Sequence, residues 1–211
     1  MLYRLGITGN KSTQTAKVFG EMIPDFFEVK YSNPSDYVSY CWNEYQKRPE
    51  KSNNLNGKIF EVIIATLCIR EDLLPFFLQA NVTFVPNVNF DLMFFRENVG
   101  PIYFSNKTSL RERYKQADLE SFALKNVHRN ACCYLITMNE AEANNLSKKI
   151  ASGDVLGLDK VIVATSNRLD ELIYKLKTYR LIDPPSVEII NSNQVVTHET
   201  VKKVYTKKPN Y

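Results

Sequence analysis

One carboxylate constrains this chain more than any other residue. Asp91 sits inside Phe90-Asp91-Leu92-Met93-Phe94-Phe95, which reads as a strand apolar on both faces. An ionised acid buried there without a partner is costly, so the fold must bring a cation to it. The next strand-like segment, residues 101–108, carries Ser105-Asn106-Lys107, and Glu97-Asn98-Val99-Gly100 reads as the turn between them. Ser105 and Lys107 are two apart on a strand and therefore share a face.

The remaining elements follow from periodicity and punctuation. Residues 12–20 and 35–46 have helical patterns, residues 48–56 read as a polar loop, and residues 57–71 give a strongly apolar helix with Glu61 near its start. Strands are expected over 80–85, 89–95 and 101–108. A helix follows over 110–127, a buried strand over 131–138, and a helix over 139–150 capped by Asn139. A strand over 160–165, a helix over 167–179 opened by Ser166 or Asn167, and a short strand over 187–190 after Pro184-Pro185 complete the order. Helices, then an antiparallel meander, then strand-helix-strand-helix predict an α/β fold with a mixed sheet flanked by helices. The 211 residues suit a single domain, with residues 1–56 as a helical N-terminal portion and 197–211 as a basic tail bearing Lys202, Lys203, Lys207 and Lys208.

Composition excludes some classes. No apolar run approaches the ~18 residues of a membrane span, and the first residues lack the pattern of a signal peptide. Cys41, Cys68, Cys132 and Cys133 include no Cys-x-x-Cys spacing, so the expectation is a reduced cytoplasmic protein without structural zinc. A net charge of +4 permits nucleic-acid binding without requiring it.

Glu120 lies thirteen residues after Lys107, nearly three turns into the expected helix at ~3.6 residues per turn. Folded back over the sheet, it supplies a second carboxylate. Ser105 alone is a poor ligand for Mg²⁺, which is held by one or two carboxylates and keeps several waters. Asp91, Glu120 and Lys107 are the parts that metal-dependent phosphodiester hydrolysis needs. Taken residue by residue, the plainer reading is a strand-end acid paired with a surface lysine.

The joint spacing resembles the PD-(D/E)xK nuclease superfamily, and within it the type II restriction endonucleases that recognise CCGG, CCNGG or CCWGG. In that group a Ser often replaces the Glu before x-Lys, and a Glu on the following helix takes over. Ser105-Asn106-Lys107 with Glu120 matches this variant, and Arg111-Glu112-Arg113 matches the group's triplet beginning four residues after the Lys. Glu61 matches a Glu contributed by an earlier helix. The likeness covers residues 57–121; Phe90 stands where the motif has Pro, and the interval from Asp91 to Lys107 is short for the group.

The resemblance implies a restriction-endonuclease-like fold and a Mg²⁺-dependent type II restriction endonuclease cutting double-stranded DNA at a short G·C-containing palindrome. It implies a homodimer and a cognate DNA methyltransferase as functional counterpart. Asp91 and Glu120 then hold the metal, Lys107 acts on water and phosphate, and Glu61 and Ser105 support them. Arg forks match guanine O6 and N7, and Glu accepts from cytosine N4, so Arg111, Glu112 and Arg113 would read G·C pairs. The competing readings are a structure-selective repair or recombination nuclease, and a DNA-binding protein on this fold without catalysis.

Other features carry less. Gly6-Ile7-Thr8-Gly9-Asn10-Lys11-Ser12-Thr13 fails the phosphate-loop spacing and reads as a loop leading into a helix, within reach of a DNA phosphate. His128 and His198 are far apart and expected at the surface. Tyr37, Tyr40, Trp42 and Tyr45 make an aromatic helix, read first as packing or a dimer contact. The sharper alternative is stacking of Trp42 on an extruded base.

Overall fold

The computed structural model describes residues 1–184, 190–192 and 194–205. A 3-10 turn at Leu2–Leu5 is followed by α1 (Gln14–Met22), α2 (Pro34–Gln46) and α3 (Asn53–Arg70). Then come β1 (Phe76–Val82), β2 (Val85–Arg96), β3 (Gly100–Lys107) and α4 (Arg113–Val127). The chain continues through β4 (Cys132–Thr137), α5 (Glu140–Ser152), β5 (Lys160–Val163) and α6 (Asn167–Leu176). It closes with β6 (Ile190–Asn191), β7 (Gln194–Val196) and α7 (His198–Tyr205).

Among the described residues the strands form one seven-stranded sheet in the order β5-β4-β3-β2-β1-β6, with β7 also pairing β1. β1, β2 and β3 are an antiparallel meander, whereas β3, β4 and β5 are parallel and linked through α4 and α5. This is the mixed α/β sheet with flanking helices expected from the element order.

Alternation along the strands sorts the core into two layers. Leu92, Phe94, Ile102, Phe104 and Ile136 pack with the N-terminal helices, α3 and α6. Met93, Tyr103, Cys133 and Leu135 face the other way, toward Ala117 and Leu124 of α4 and Ala143 and Leu146 of α5. Because β2 is central and covered on both sides, every residue from Phe90 to Arg96 is buried.

Several boundaries differ from the sequence expectation. α3 begins at Asn53 rather than 57, because the Ser52 side chain accepts from Leu55 N at 3.1 Å and caps it. The polar stretch ending in Asn56 therefore supplies the first turn of the helix. β1 starts at Phe76, and Val82 pairs with Val85 across Thr83-Phe84, so residues expected in one strand belong to two arms of a hairpin. Asn139 caps α5 as expected, accepting from Glu142 N at 3.0 Å.

The described part of the basic tail, through Tyr205, is packed against the core. Val201 and Val204 pack against the larger core, and Tyr205 lies with its ring 4.8 Å from that of Phe27. The i, i+3, i+4 spacing of these three apolar residues makes the segment an amphipathic helix despite its lysines. Lys207, Lys208 and most of the strand expected over 187–190 lie outside the described residues.

α4 is fixed from below by a close approach. Asp118 Oδ1 accepts from Gly157 N at 2.6 Å and from Leu158 N at 3.2 Å. A Cβ on Gly157 would overlap Asp118 O and lie 2.5 Å from Phe122 N, both backbone atoms that cannot move aside without shifting the helix. Gly157→Ala should therefore destabilise the protein by about 1–3 kcal/mol, the usual cost of overpacking. Urea unfolding measures it, and an unchanged midpoint would show that α4 is not held there.

Candidate active site

β2 and β3 bring the acid and the lysine together. Lys107 Nζ donates to Asp91 Oδ2 at 2.7 Å, and Asn106 N donates to the same oxygen at 2.9 Å. The Asp91 side chain is 11% exposed and that of Lys107 8%, so this is a buried ion pair. Asp91, Ser105 and Lys107 share the face that carries Met93 and Tyr103, because Leu92 pairs with Phe104 in the antiparallel register.

Glu120 reaches that face from α4. Ala117, Glu120, Ser121 and Leu124 recur at helical spacing, and the three neighbours of Glu120 are buried. Its Oε2 accepts from the Tyr103 hydroxyl at 2.8 Å and its Oε1 from Gln116 Nε2 at 2.7 Å. Burial raises the Tyr103 phenol well above its usual range, and the nearby charges of Asp91 and Glu120 push the same way. The phenol thus lies in the field of both carboxylates and stays a donor.

Glu61 approaches from α3. Lys58 Nζ lies 2.9 Å from Glu61 Oε2, and Gln79 Nε2 is 3.4 Å from the same atom. Gln79 has φ +49°, and the register of the β1–β2 pairing shifts just beyond it, between Ala80 and Val82. The Glu61 carboxyl is held above the usual carboxylate range, first by burial and then by repulsion from Asp91; Lys58 and Lys107 oppose the shift. A cleft of about 290 Å³ opens against Glu61, its other walls including Thr8, Gly9, Thr13, Lys58 and Gln79. The loop over residues 6–13 thus faces the acid.

Ser105 is fully buried; its hydroxyl lies near that of Tyr103 but makes no hydrogen bond of acceptable geometry. Among the described residues no three His, Cys, Asp or Glu side chains gather closely enough to hold a metal by themselves. The donor set still suits a hard cation such as Mg²⁺, which needs one or two carboxylates plus waters. Two features bear on that fit. The Asp91 charge adds to burial in raising the Glu61 carboxyl, and the buried Ser105 hydroxyl lacks a partner, as do the Asn106 amide and the Ser121 hydroxyl, a place where bound water is the usual occupant.

Arg111, Glu112 and Arg113 are exposed where α4 begins. The loop that carries them is tied to α5, since Leu110 N and Arg111 N donate to Glu142 at 2.6 and 3.4 Å. Glu112 stands at the N-cap position of α4 without a side-chain cap bond and pairs with Lys115, which lowers the Glu112 carboxyl; Lys149 adds to this. Trp42 packs against Tyr45 and Phe60 at 5.3 and 5.9 Å, and Tyr37 and Tyr45 are buried, as the packing reading requires. His128 is partly buried at the end of α4, and His198 is exposed and 2.9 Å from Asp72. All four cysteines are free. No helix among the described residues is long and apolar enough to cross a membrane.

Sequence reasoning missed Tyr103 and Gln79. Tyr103 had a readable signal, because residues 103, 105 and 107 fall on one strand face. Gln79 had none, since its strand was placed too late in the chain.

No family model matches the sequence, and no curated protein matches it. A solved structure does: the restriction endonuclease PspGI in complex with substrate DNA. The likeness has a TM-score of 0.53 at 17% identity and covers 83% of this chain and 84% of that one. The chain has a restriction-endonuclease-like fold.

The raised Glu61 carboxyl has a consequence for stability. Folded Glu61 holds its proton more tightly than unfolded Glu61, so ionising it costs stability as pH climbs through the carboxylate range. The full cost stands above the folded pKa. Glu61→Gln should therefore raise the melting temperature of the metal-free protein at pH 8 and lose that advantage at acid pH. A melting temperature unchanged at pH 8 would show that neither burial nor the Asp91 charge holds the Glu61 carboxyl up.

Proposed function

We propose that this protein is a Mg²⁺-dependent, site-specific endonuclease that hydrolyses double-stranded DNA at a short G·C-containing palindrome. The observation that carries the reading is the buried Asp91–Lys107 pair on adjacent strands, flanked by Glu61 and Glu120 from two different helices. The fold is similar to that of a restriction endonuclease bound to its DNA substrate, which supports a DNA-directed role.

In this reading Asp91 and Glu120 are the metal-holding carboxylates, with Glu61 and the Ser105 hydroxyl supporting them. A bound Mg²⁺ supplies Lewis-acid stabilisation of phosphate charge and lowers the pKa of a coordinated water. Lys107, aligned by Asp91, orients the attacking water and offsets charge on the phosphate. Water attacks phosphorus in line, the P–O3′ bond breaks, and the products carry a 5′-phosphate and a 3′-hydroxyl. Glu61, with its raised carboxyl, is a group able to accept a proton nearby.

In this reading Arg111, Glu112 and Arg113 read bases. The support is that they are exposed side chains leading into the helix whose later turns carry Glu120. A palindrome read twice calls for a homodimer, and protection of host sites calls for a cognate DNA methyltransferase.

Incubating the protein with plasmid DNA and Mg²⁺ should give discrete fragments. Lys107→Met should reduce cutting at least a hundredfold while retaining DNA binding, and Glu112→Ala should blur the fragment pattern more than it weakens binding. A smear or branch-selective nicking would replace this reading with a repair nuclease, and intact DNA with a non-catalytic binding protein. Full cutting by Lys107→Met would remove the assignment of the site.

A further inference from the structure

We propose that Tyr103 is a positioning residue that holds Glu120 over the Asp91 face of the sheet and thereby sets the affinity of the metal site. The inference rests on the functional reading above and extends it to a residue outside the motif. Glu120 is the one assigned acid that does not belong to the sheet or to the apolar helix behind it. It must reach across from α4 on a side chain with three rotatable bonds, and without a tether it would sample solvent as readily as the site.

Tyr103 supplies the tether. The residue is fully buried in the middle of β3, with its ring fixed 4.7 Å from that of Phe90 in an edge contact. Its hydroxyl donates to Glu120 Oε2 at 2.8 Å, a charge-assisted bond when the acid is ionised. The other oxygen of Glu120 is met by Gln116, an exposed residue one turn earlier on the same helix. Gln116 moves with α4, whereas Tyr103 moves with the strand that carries Ser105 and Lys107. Among the described residues only the phenol ties the acid by a hydrogen bond to the frame of the other site residues. A buried tyrosine hydroxyl needs some partner. That need alone does not call for a carboxylate on the facing helix, two strand positions from Ser105.

Mn²⁺ alone is the probe, with free metal counted by electron paramagnetic resonance. Tyr103→Phe should bind Mn²⁺ about tenfold more weakly, the lower end of what loss of an outer hydrogen-bond partner costs a metal site. In a Glu120→Ala background the same substitution should produce no further change, because Tyr103 acts through Glu120. A structural role would give the same loss in both backgrounds, and that result, or unchanged Mn²⁺ affinity in Tyr103→Phe, overturns the inference while leaving the metal reading in place. Failure of the unsubstituted protein to bind Mn²⁺ overturns the metal reading itself, and the inference with it. Far-ultraviolet circular dichroism of each variant establishes that it is folded; should Tyr103→Phe not fold, Gln116→Ala with Tyr103 intact must keep its affinity within a fewfold, and a tenfold loss there would assign the tether to Gln116 instead.

Discussion

The buried pair of Asp91 and Lys107 is the constraint around which the rest of the structure is arranged. At 2.7 Å and an effective dielectric near 20 their attraction amounts to about 6 kcal/mol. Removing both ions from water costs several kcal/mol each, so the pair contributes little net stability. Two apolar residues of similar size would suit a central strand at least as well. What the pair does provide is a carboxylate and an ammonium fixed together in a desolvated place, the arrangement that the proposed reading puts to chemical use.

The sheet makes this possible. Strand alternation puts Asp91, Ser105, Lys107 and Tyr103 on one face, while the opposite residues of the same strands complete the larger core. Each charged residue is thus carried by neighbours that are anchored elsewhere. The helices add their acids from two directions: Glu61 through α3, with Gln79 and Lys58 against it, and Glu120 through α4, with Tyr103 beneath it. The charge of Asp91 acting on Glu61 and the unpaired Ser105 hydroxyl are energetic costs in the interior, and the Asn106 amide and the Ser121 hydroxyl, on the same strand and on α4, are unpaired as well. Costs of that kind are tolerated where a ligand relieves them.

Much of this was legible from the chain. The Phe-rich run around Asp91 read as a strand apolar on both faces, and Lys107 lay on the next strand; the plainer reading of a strand-end acid with a surface lysine fails because both side chains are buried. The order of elements gave the mixed sheet, and Asn139 and Ser166 marked the starts of α5 and α6. Local signals failed where a long-range contact decided the outcome. Ser52 starts α3 inside a polar stretch, β1 is shifted because its partner β2 fixes the register, and the described part of the lysine-bearing tail, His198–Tyr205, is helical because Val201, Val204 and Tyr205 find apolar surface.

The sequence by itself determined the identity and spacing of the charged groups and the periodicity of the elements that carry them, because those depend on neighbours a few residues apart. Tertiary structure alone decided which groups act on one another: Glu61 in the field of Asp91 and against Gln79, and Glu120 on the Tyr103 hydroxyl. These approaches join residues 15 or more apart on different elements. They are set by register, by the close contact of Gly157 with α4, and by the requirement that buried charge find a partner, none of which has a local signature in the chain.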